Sequence, residues 1–542
     1  MNSVAPLPIG FSIEFDPDTK DLDDSVLFGG SPARIMRISA AGRPALAELR
    51  AGSISTPAAG ALARKLTDAN VAHPRPPART APLDVTVLIP VRDRARLLDR
   101  CLTALGRRYP VVIVDDASRD PQAVAEVVRA HGAILLSRPD NGGPGAARNT
   151  GLAFSTSEFV ALLDSDCIPG PDWISGLAAH FADPLVAAVA PRIVAAAPAQ
   201  SAPAQSGPAR SGPAQSGPAR SGPTQSAPTH PAQAHPGSAP KSLASRFTEA
   251  NGSLDLGPRE ARVLASGRVS YVPTAALLVR RAALVSLGTA PFDESLRVGE
   301  DVDLIWRLHD ADWRIRYDPS VEVGHQEPET WRALLARRFR YGTSAAPLAA
   351  RHPEAMAPLA LHPWPTLTVT ALLGRRPAVA AVGFAGSVLS MRASLQRANI
   401  PARGVVPAMA TASNQTWLGL GRYLTQFGSP FLLTALVKPG GRTRTRRWGR
   451  RGAAASLLFG PPLATWAKRR PQLDPARFLL AQCADDISYG AGVWAGALRE
   501  GTMLPLRPRL VWRPLRVDTL RDRVKSRRQP LAPLLARIRF YL

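Results

Sequence analysis

The chain has very little cysteine. Its only thiols are Cys101, Cys167 and Cys483 in 542 residues. Their scattered spacing gives neither a zinc-binding pattern nor a disulfide framework, which points to a reducing compartment. Acidic residues are scarce as well: 42 Asp and Glu stand against 67 Lys and Arg, a formal net charge of +25. Such an excess favours partners that carry phosphate, or an anionic membrane surface. Long apolar runs are also missing. No stretch reads as a clean span of about 20 apolar residues. The nearest, Pro377 to Leu389, is short and follows Arg375-Arg376. Peripheral attachment is therefore expected in place of a span. The first residues include Glu14, Asp16 and Asp18 and no apolar core, so they do not read as a signal peptide.

What is present falls into several parts, as the length allows. Residues 1–75 read as a small α+β, winged-helix-like unit. Short strands are expected around Val26-Leu27-Phe28 and Ile35-Met36-Arg37, Ser39 is expected to cap a helix, and a second helix to run from Ala58 to Ala69. His73-Pro74-Arg75-Pro76-Pro77 opens a proline-rich linker that ends at residue 83. From 84 to about 350, β-branched runs alternate with amphipathic stretches, the pattern of a mostly parallel sheet with helical crossovers. Residues 199–240 interrupt it with a five-residue Ser-Gly-Pro-Ala-Arg repeat, which is too poor in apolar surface to fold and is expected to be a disordered insertion. Beyond 351, apolar helical stretches alternate with basic ones. Lys438 to Arg451 holds seven cations and no acid, which suits an anionic membrane surface as well as it suits a solvated basic face.

The stretch that organises the chain is Phe159-Val160-Ala161-Leu162-Leu163-Asp164-Ser165-Asp166. An apolar strand here ends on two carboxylates one residue apart, which can aim to one side beyond the strand end. Ligands of open α/β sheets bind at the carboxyl ends of the strands. Hard oxygen donors there suit Mg²⁺ or Mn²⁺ carrying a diphosphate. Alone, Asp-x-Asp is equally a polar turn. Four further motifs accompany it: Ile89-Pro90-Val91-Arg92-Asp93, Val114-Asp115-Asp116-Ala117-Ser118, Asn141-Gly142-Gly143 with Ala147-Arg148-Asn149, and Gly299-Glu300-Asp301 before a helix. Gly324-His325 closes the series. Pro144 starts a helix whose N-terminus is expected to face an anion.

In this order, these six motifs resemble the inverting family-2 glycosyltransferases of GT-A fold. The architecture as a whole resembles the glycosyltransferases of mycofactocin systems, and the N-terminal unit resembles the peptide-binding domains that accompany peptide-modifying enzymes. The resemblance implies an α/β GT-A domain and a nucleotide-sugar donor, UDP-glucose above all. It implies transfer of β-1,4-linked glucose to the peptide-derived cofactor premycofactocin. It implies donor-binding roles for Pro90, Arg92, Asp115, Asp116, Gly143, Arg148, Asp164 and Ser165. Asp166, Asp164 and His325 are the expected ligands of Mn²⁺ or Mg²⁺, and Asp301 the expected general base. The expected location is the cytoplasm, at the inner face of the membrane.

Three other readings compete. A processive polysaccharide synthase would carry a Gln-x-x-Arg-Trp signature where this chain has Ala336-Arg337-Arg338-Phe339-Arg340. A sugar nucleotidyltransferase would place a Gly-rich loop with Arg and Lys after the first strand. A nucleic-acid-binding protein would account for the charge, yet no such module or basic-aromatic interleaving is present, so no nucleic-acid partner is expected.

Overall fold

The computed structural model describes residues 5–79, 82–196, 241–397, 399–402, 404–438, 444–511 and 517–519. The repeat at 199–240 lies outside the described residues.

The expected α/β GT-A arrangement is the one found. In chain order the catalytic domain runs β1 (Val85–Val91), α1 (Ala95–Leu105), β2 (Val111–Asp115), α2 (Pro121–His131), β3 (Ile134–Ser137) and α3 (Pro144–Phe154). It continues with β4 (Phe159–Leu163), β5 (Cys167–Pro169), β6 (Val186–Ala195), β7 (Ala261–Arg262) and β8 (Ala276–Arg280). It ends with α4 (Glu300–Asp310) and β9 (Arg314–His325). Nine strands form one sheet in the order β5-β9-β6-β8-β4-β1-β2-β3, with β7 beside β9. The neighbours β4-β1-β2-β3 are parallel, whereas β8 runs antiparallel to β4. Apolar residues cover both faces of the sheet, so its strands read as near-continuous hydrophobic runs. Pro319 and His325 belong to the single strand β9. It stays continuous by absorbing an irregularity opposite Pro191 and Arg192.

The N-terminal unit differs from expectation at three points. Ser39 makes no side-chain cap, and a short 3-10 turn precedes helix Arg43–Ala51. Thr56 caps the second helix, Pro57–Asp68. The opening of the proline-rich stretch is a strand, Ala72–Arg75, paired antiparallel with Ser12–Phe15. Its prolines are tolerated because this is a two-stranded edge pairing. The unit is fastened to the catalytic domain by buried ion pairs. Arg64 donates to both oxygens of Asp183 at 2.6 and 2.8 Å, and Asp68 meets Arg262 and Arg314 at 3.0 and 2.9 Å.

The C-terminal region is helical: α5 (Trp331–Thr343), α6 (Ala345–Arg351), α7 (Pro363–Leu373), α8 (Pro377–Arg397), α9 (Val405–Val437), α10 (Arg444–Arg469) and α11 (Pro475–Arg499). The helix that carries the apolar stretch Pro377 to Leu389 continues to Arg397. By length and composition alone, α8 is able to cross a membrane. Its neighbour α9 reaches back to the N-terminal unit, where Val405 and Met409 pack with Val26 and Ile35.

Helix α11 is wedged between α5 and α9 by glycines that let the backbones touch. A Cβ on Gly490 would lie 1.7 Å from the Gln426 carbonyl oxygen, and one on Gly492 2.0 Å from that of Phe339. Gly490→Val is expected to lower the melting temperature and to expose the α9–α11 region to limited proteolysis, since forcing backbones apart costs about 1–3 kcal/mol or more. Gly452→Ala, in open space on α10, should leave both measurements unchanged.

Candidate active site

The carboxyl ends of β1, β2 and β4 open into one large cavity of about 1400 Å³. Pro90, Arg92, Asp116, Gly143, Arg148, Asp164, Ser165, Asp166, Asp301 and His325 all line it. Residues from six separated stretches of sequence therefore converge on one space. Asp115 is the exception. It is 2% exposed and its carboxylate accepts from the Ser118 amide and hydroxyl at 3.1 and 2.5 Å. It shapes the β2 turn and, unlike the other expected site residues, lies outside the cavity lining. Asp116 points the other way, as alternation along a strand requires.

The glycine loop shows why Asp116 sits where it does. The amides of Gly142 and Gly143 donate to its two carboxylate oxygens at 2.9 and 2.7 Å, and Arg138 Nε donates at 3.0 Å. The anion at the start of α3 is thus supplied by the protein itself. Gly143 has φ +88°, a conformation that side chains disfavour.

Arg148 is the buried centre of the site. Nη2 donates to Asp164 Oδ1 at 2.7 Å and Nη1 to Glu300 Oε1 at 2.9 Å. The side chain is 3% exposed, and the Phe292 ring lies 5.5 Å from the guanidinium. Asn149 fixes the same helix, exchanging hydrogen bonds with the Phe292 backbone at 2.8 and 3.0 Å. Arg148 therefore holds two carboxylates at the cavity wall, while its buried Nε has no hydrogen-bond partner among the described residues. Asp164 is correspondingly engaged by Arg148 through Oδ1. Among the described residues no three His, Cys, Asp or Glu side chains stand ready around one point.

Asp166 and His325 do face each other. Antiparallel pairing sets Cys167 opposite His325, and the Gln326 amide donates to the Asp166 carbonyl at 2.9 Å. His325 Nε2 is 3.5 Å from Asp166 Oδ1, while Nδ1 is 3.2 Å from Glu327 Oε1. Burial depresses the His325 pKa, but Glu327 and Asp166 outweigh it and the net shift is upward. A carboxylate behind the second ring nitrogen is the usual support for a metal-binding imidazole. Arg94 occupies the outer oxygen of Asp166 in an ion pair. An oxygen and an imidazole nitrogen, with the remaining positions open to phosphate and water, fit a hard divalent cation.

Asp301 sits in the first turn of α4, whose N-cap Gly299 has φ +87°. Burial, and then the adjacent Glu300 charge, push its pKa up to about 7. Glu300 is also shifted upward by burial. A carboxylate that titrates near neutrality beside an open cavity suits proton abstraction.

The comparisons with known proteins are consistent with this geometry. Residues 86–214 match the family described as Glycosyl transferase family 2. Over 521 residues the chain is 36% identical to the pre-mycofactocin glycosyltransferase of Mycobacterium tuberculosis, covering 93% of this chain and 98% of that one. The chain belongs to the pre-mycofactocin glycosyltransferase family. It is also 33% identical over 101 residues to the glycosyltransferase AglE of Haloferax volcanii, covering 17% of this chain and 33% of that one. A mannosyltransferase structure from Pyrobaculum calidifontis, in complex with GDP-Man and Mn²⁺, aligns at a TM-score of 0.34 and 19% identity, covering 71% of this chain and 89% of that one.

Several residues of this glycosyltransferase site escape sequence reading. Glu300 stands in the quoted Gly-Glu-Asp motif, so its link to Arg148 was within reach of a charge-pairing argument. Arg94 and Glu327 flank known motifs. Arg422, Tyr423 and Tyr489 of the C-terminal helices also line the cavity, and no local pattern marks them.

Arg148→Met would leave Asp164, Glu300 and Asp301 without their buried counter-charge. Breaking such a pair typically costs about 3–5 kcal/mol. Urea denaturation at pH 7 should show a loss of that order, largely relieved by Glu300→Gln in the same chain.

Proposed function

We propose that this glycosyltransferase inverts the anomeric centre while moving glucose from UDP-glucose to premycofactocin, forming β-1,4 linkages as units are added. The reading is supported by the family to which the chain belongs and by the printed name of its relative in Mycobacterium tuberculosis. The single observation that carries the mechanism is the cavity shared by Asp166, His325 and Asp301.

An acceptor hydroxyl attacks the anomeric carbon from the face opposite the diphosphate. Asp301 takes the hydroxyl proton as the new C–O bond forms, a contribution of about 10² to 10⁴ in rate. The bond from the anomeric carbon to the phosphate oxygen breaks, and its electron pair leaves with UDP. Asp166 and His325 would hold Mn²⁺ or Mg²⁺, which offsets the charge on the departing diphosphate. Arg148 keeps Asp164 and Glu300 in place beneath the donor. With no second carboxylate needed as nucleophile, one displacement and inversion follow.

The working location inferred is the inner face of an anionic membrane. Val382, Leu389 and Phe431 are exposed on α8 and α9, and Arg450 and Arg451 near the Arg-rich start of α10 donate to the Ala435 and Val437 carbonyls at the end of α9. The full chain should co-sediment with phosphatidylglycerol vesicles and be released by high salt. Equal binding to phosphatidylcholine vesicles would argue against this attachment.

Asp301→Asn should abolish transfer of labelled glucose while UDP-glucose affinity, read by calorimetry with Mn²⁺, stays within about twofold. In the parent, kcat/KM should rise as pH climbs through about 7, because the ionised carboxylate is the active form. Stability should move oppositely. The Asp301 pKa is raised in the fold from an ordinary 3.8, so its ionisation favours the unfolded chain above that pH. Asp301→Asn should therefore melt higher than the parent at pH 8, and the difference should vanish near pH 3. Asp166→Ala should remove the Mn²⁺ dependence of donor binding.

A further inference from the structure

The cavity is larger than one donor requires. Sites for a single small ligand occupy roughly 300–1,000 Å³, against about 1400 Å³ here. The strand-end motifs line one half. The other half is closed by Tyr271, by Tyr341 of α5 and by Tyr489 of α11. All three rings are half-buried. Their phenol hydroxyls have no hydrogen-bond partner among the described residues, although the neighbouring Tyr423 hydroxyl donates to the Leu506 carbonyl at 2.6 Å. Polar groups facing a cavity without protein partners are available to a ligand.

The cluster is rigid. A Cβ on Gly342, next to Tyr341, would lie 2.2 Å from the Tyr489 carbonyl oxygen, so the two tyrosine backbones are locked across the α5–α11 contact. The Arg338 guanidinium lies 5.2 Å from the Tyr489 ring centroid and its Nε 2.8 Å from Asp485 Oδ1. Arg422 also acts on this ring, and the two cations nearest Tyr489 are each matched by a carboxylate of α11, Arg338 by Asp485 and Arg422 by Asp486. Burial, with the Asp301 carboxylate close by, raises the pKa of Tyr271 and Tyr341 and keeps them protonated as donors.

Resting on the glycosyl-transfer reading above, we propose that Tyr271, Tyr341 and Tyr489 form the acceptor subsite, holding the hydroxyl-bearing pyranose rings of a neutral acceptor against the Asp301 carboxylate. Pyranose rings fit each feature. Their C–H faces pack on aromatic rings, their hydroxyls exchange hydrogen bonds with phenols, and they carry no charge for the paired Arg338 and Asp485 to oppose. The C-terminal helices are then part of the acceptor site, with Asp485 a positioning residue that acts through Arg338 and Tyr489.

The test uses the full chain with Mn²⁺ and UDP, and cellotetraose as the acceptor probe in calorimetry. The parent should bind cellotetraose. Tyr341→Phe and Tyr489→Phe keep the rings and lose one hydroxyl each, so each should weaken that binding about 3- to 10-fold, the loss expected for one ligand hydrogen bond. Melting temperature and UDP-glucose affinity should not move. A parent that binds UDP-glucose but not cellotetraose would overturn the subsite, as would Phe variants with unaltered cellotetraose affinity. Phe variants that lose UDP-glucose affinity would assign the phenols to the donor half and overturn it too. Failure of the parent to bind any nucleotide sugar would instead sink the glycosyl-transfer reading itself.

Discussion

A single buried guanidinium holds the site together. Arg148 is the only cation in direct ion pairs with both Asp164 and Glu300 among the described residues, and Asp301 lies next in the chain. Carboxylates brought together in a cavity repel one another and lose hydration, so they need a compensating charge or a proton. Arg148 supplies the charge for two of them. Asp301 makes no direct pair with it, and burial, then the adjacent Glu300 charge, outweigh the pull of Arg148, so its pKa rises. The same arrangement that makes the pocket stable therefore leaves one carboxylate fit to accept a proton near neutral pH.

Charge is handled in the same way elsewhere. The N-terminal unit meets the catalytic domain through Arg64–Asp183, Asp68 with Arg262 and Arg314, and Arg75 with Glu260. The C-terminal helix α11 is held by Asp485 on Arg338 and by Asp486 on Arg422 and Gln426. Each link buries a carboxylate with a partner from a distant part of the sequence. Such pairs add little net stability compared with apolar contacts, but they penalise any arrangement that separates them. The glycines of α11 add a steric condition to that electrostatic one, because only a residue without a side chain fits between α5 and α9. Together they make the helical region a wall of the cavity.

The arrangement divides labour by element type. Strand ends and the glycine loop present the half proposed for the donor, where backbone amides and short carboxylates are fixed by the sheet. Helix α4 carries Asp301, the proposed base, and α5 and α11 line the same cavity. A parallel sheet supplies the first part readily, since its strands all end at one edge. It cannot close the second half alone, and the helices that follow β9 do so.

Much was legible before folding was considered. The parallel sheet, the crossover helices, and the placement of Pro90, Asp116, Gly143, Asp164 and Asp301 at element ends follow from periodicity and from motif chemistry, which are local properties of the chain. The tertiary structure alone decided the partners. That Arg148 reaches Glu300 across 152 residues, that Asp164 pairs with Arg148, and that Asp116 enters the cavity while Asp115 does not depend on how the strands register. It also decided that Tyr489, more than 300 residues beyond Asp164, closes the same space. Hydrophobic period is written in neighbouring residues, whereas pairing of charges and closure of a cavity depend on through-space distances that no short stretch of sequence contains.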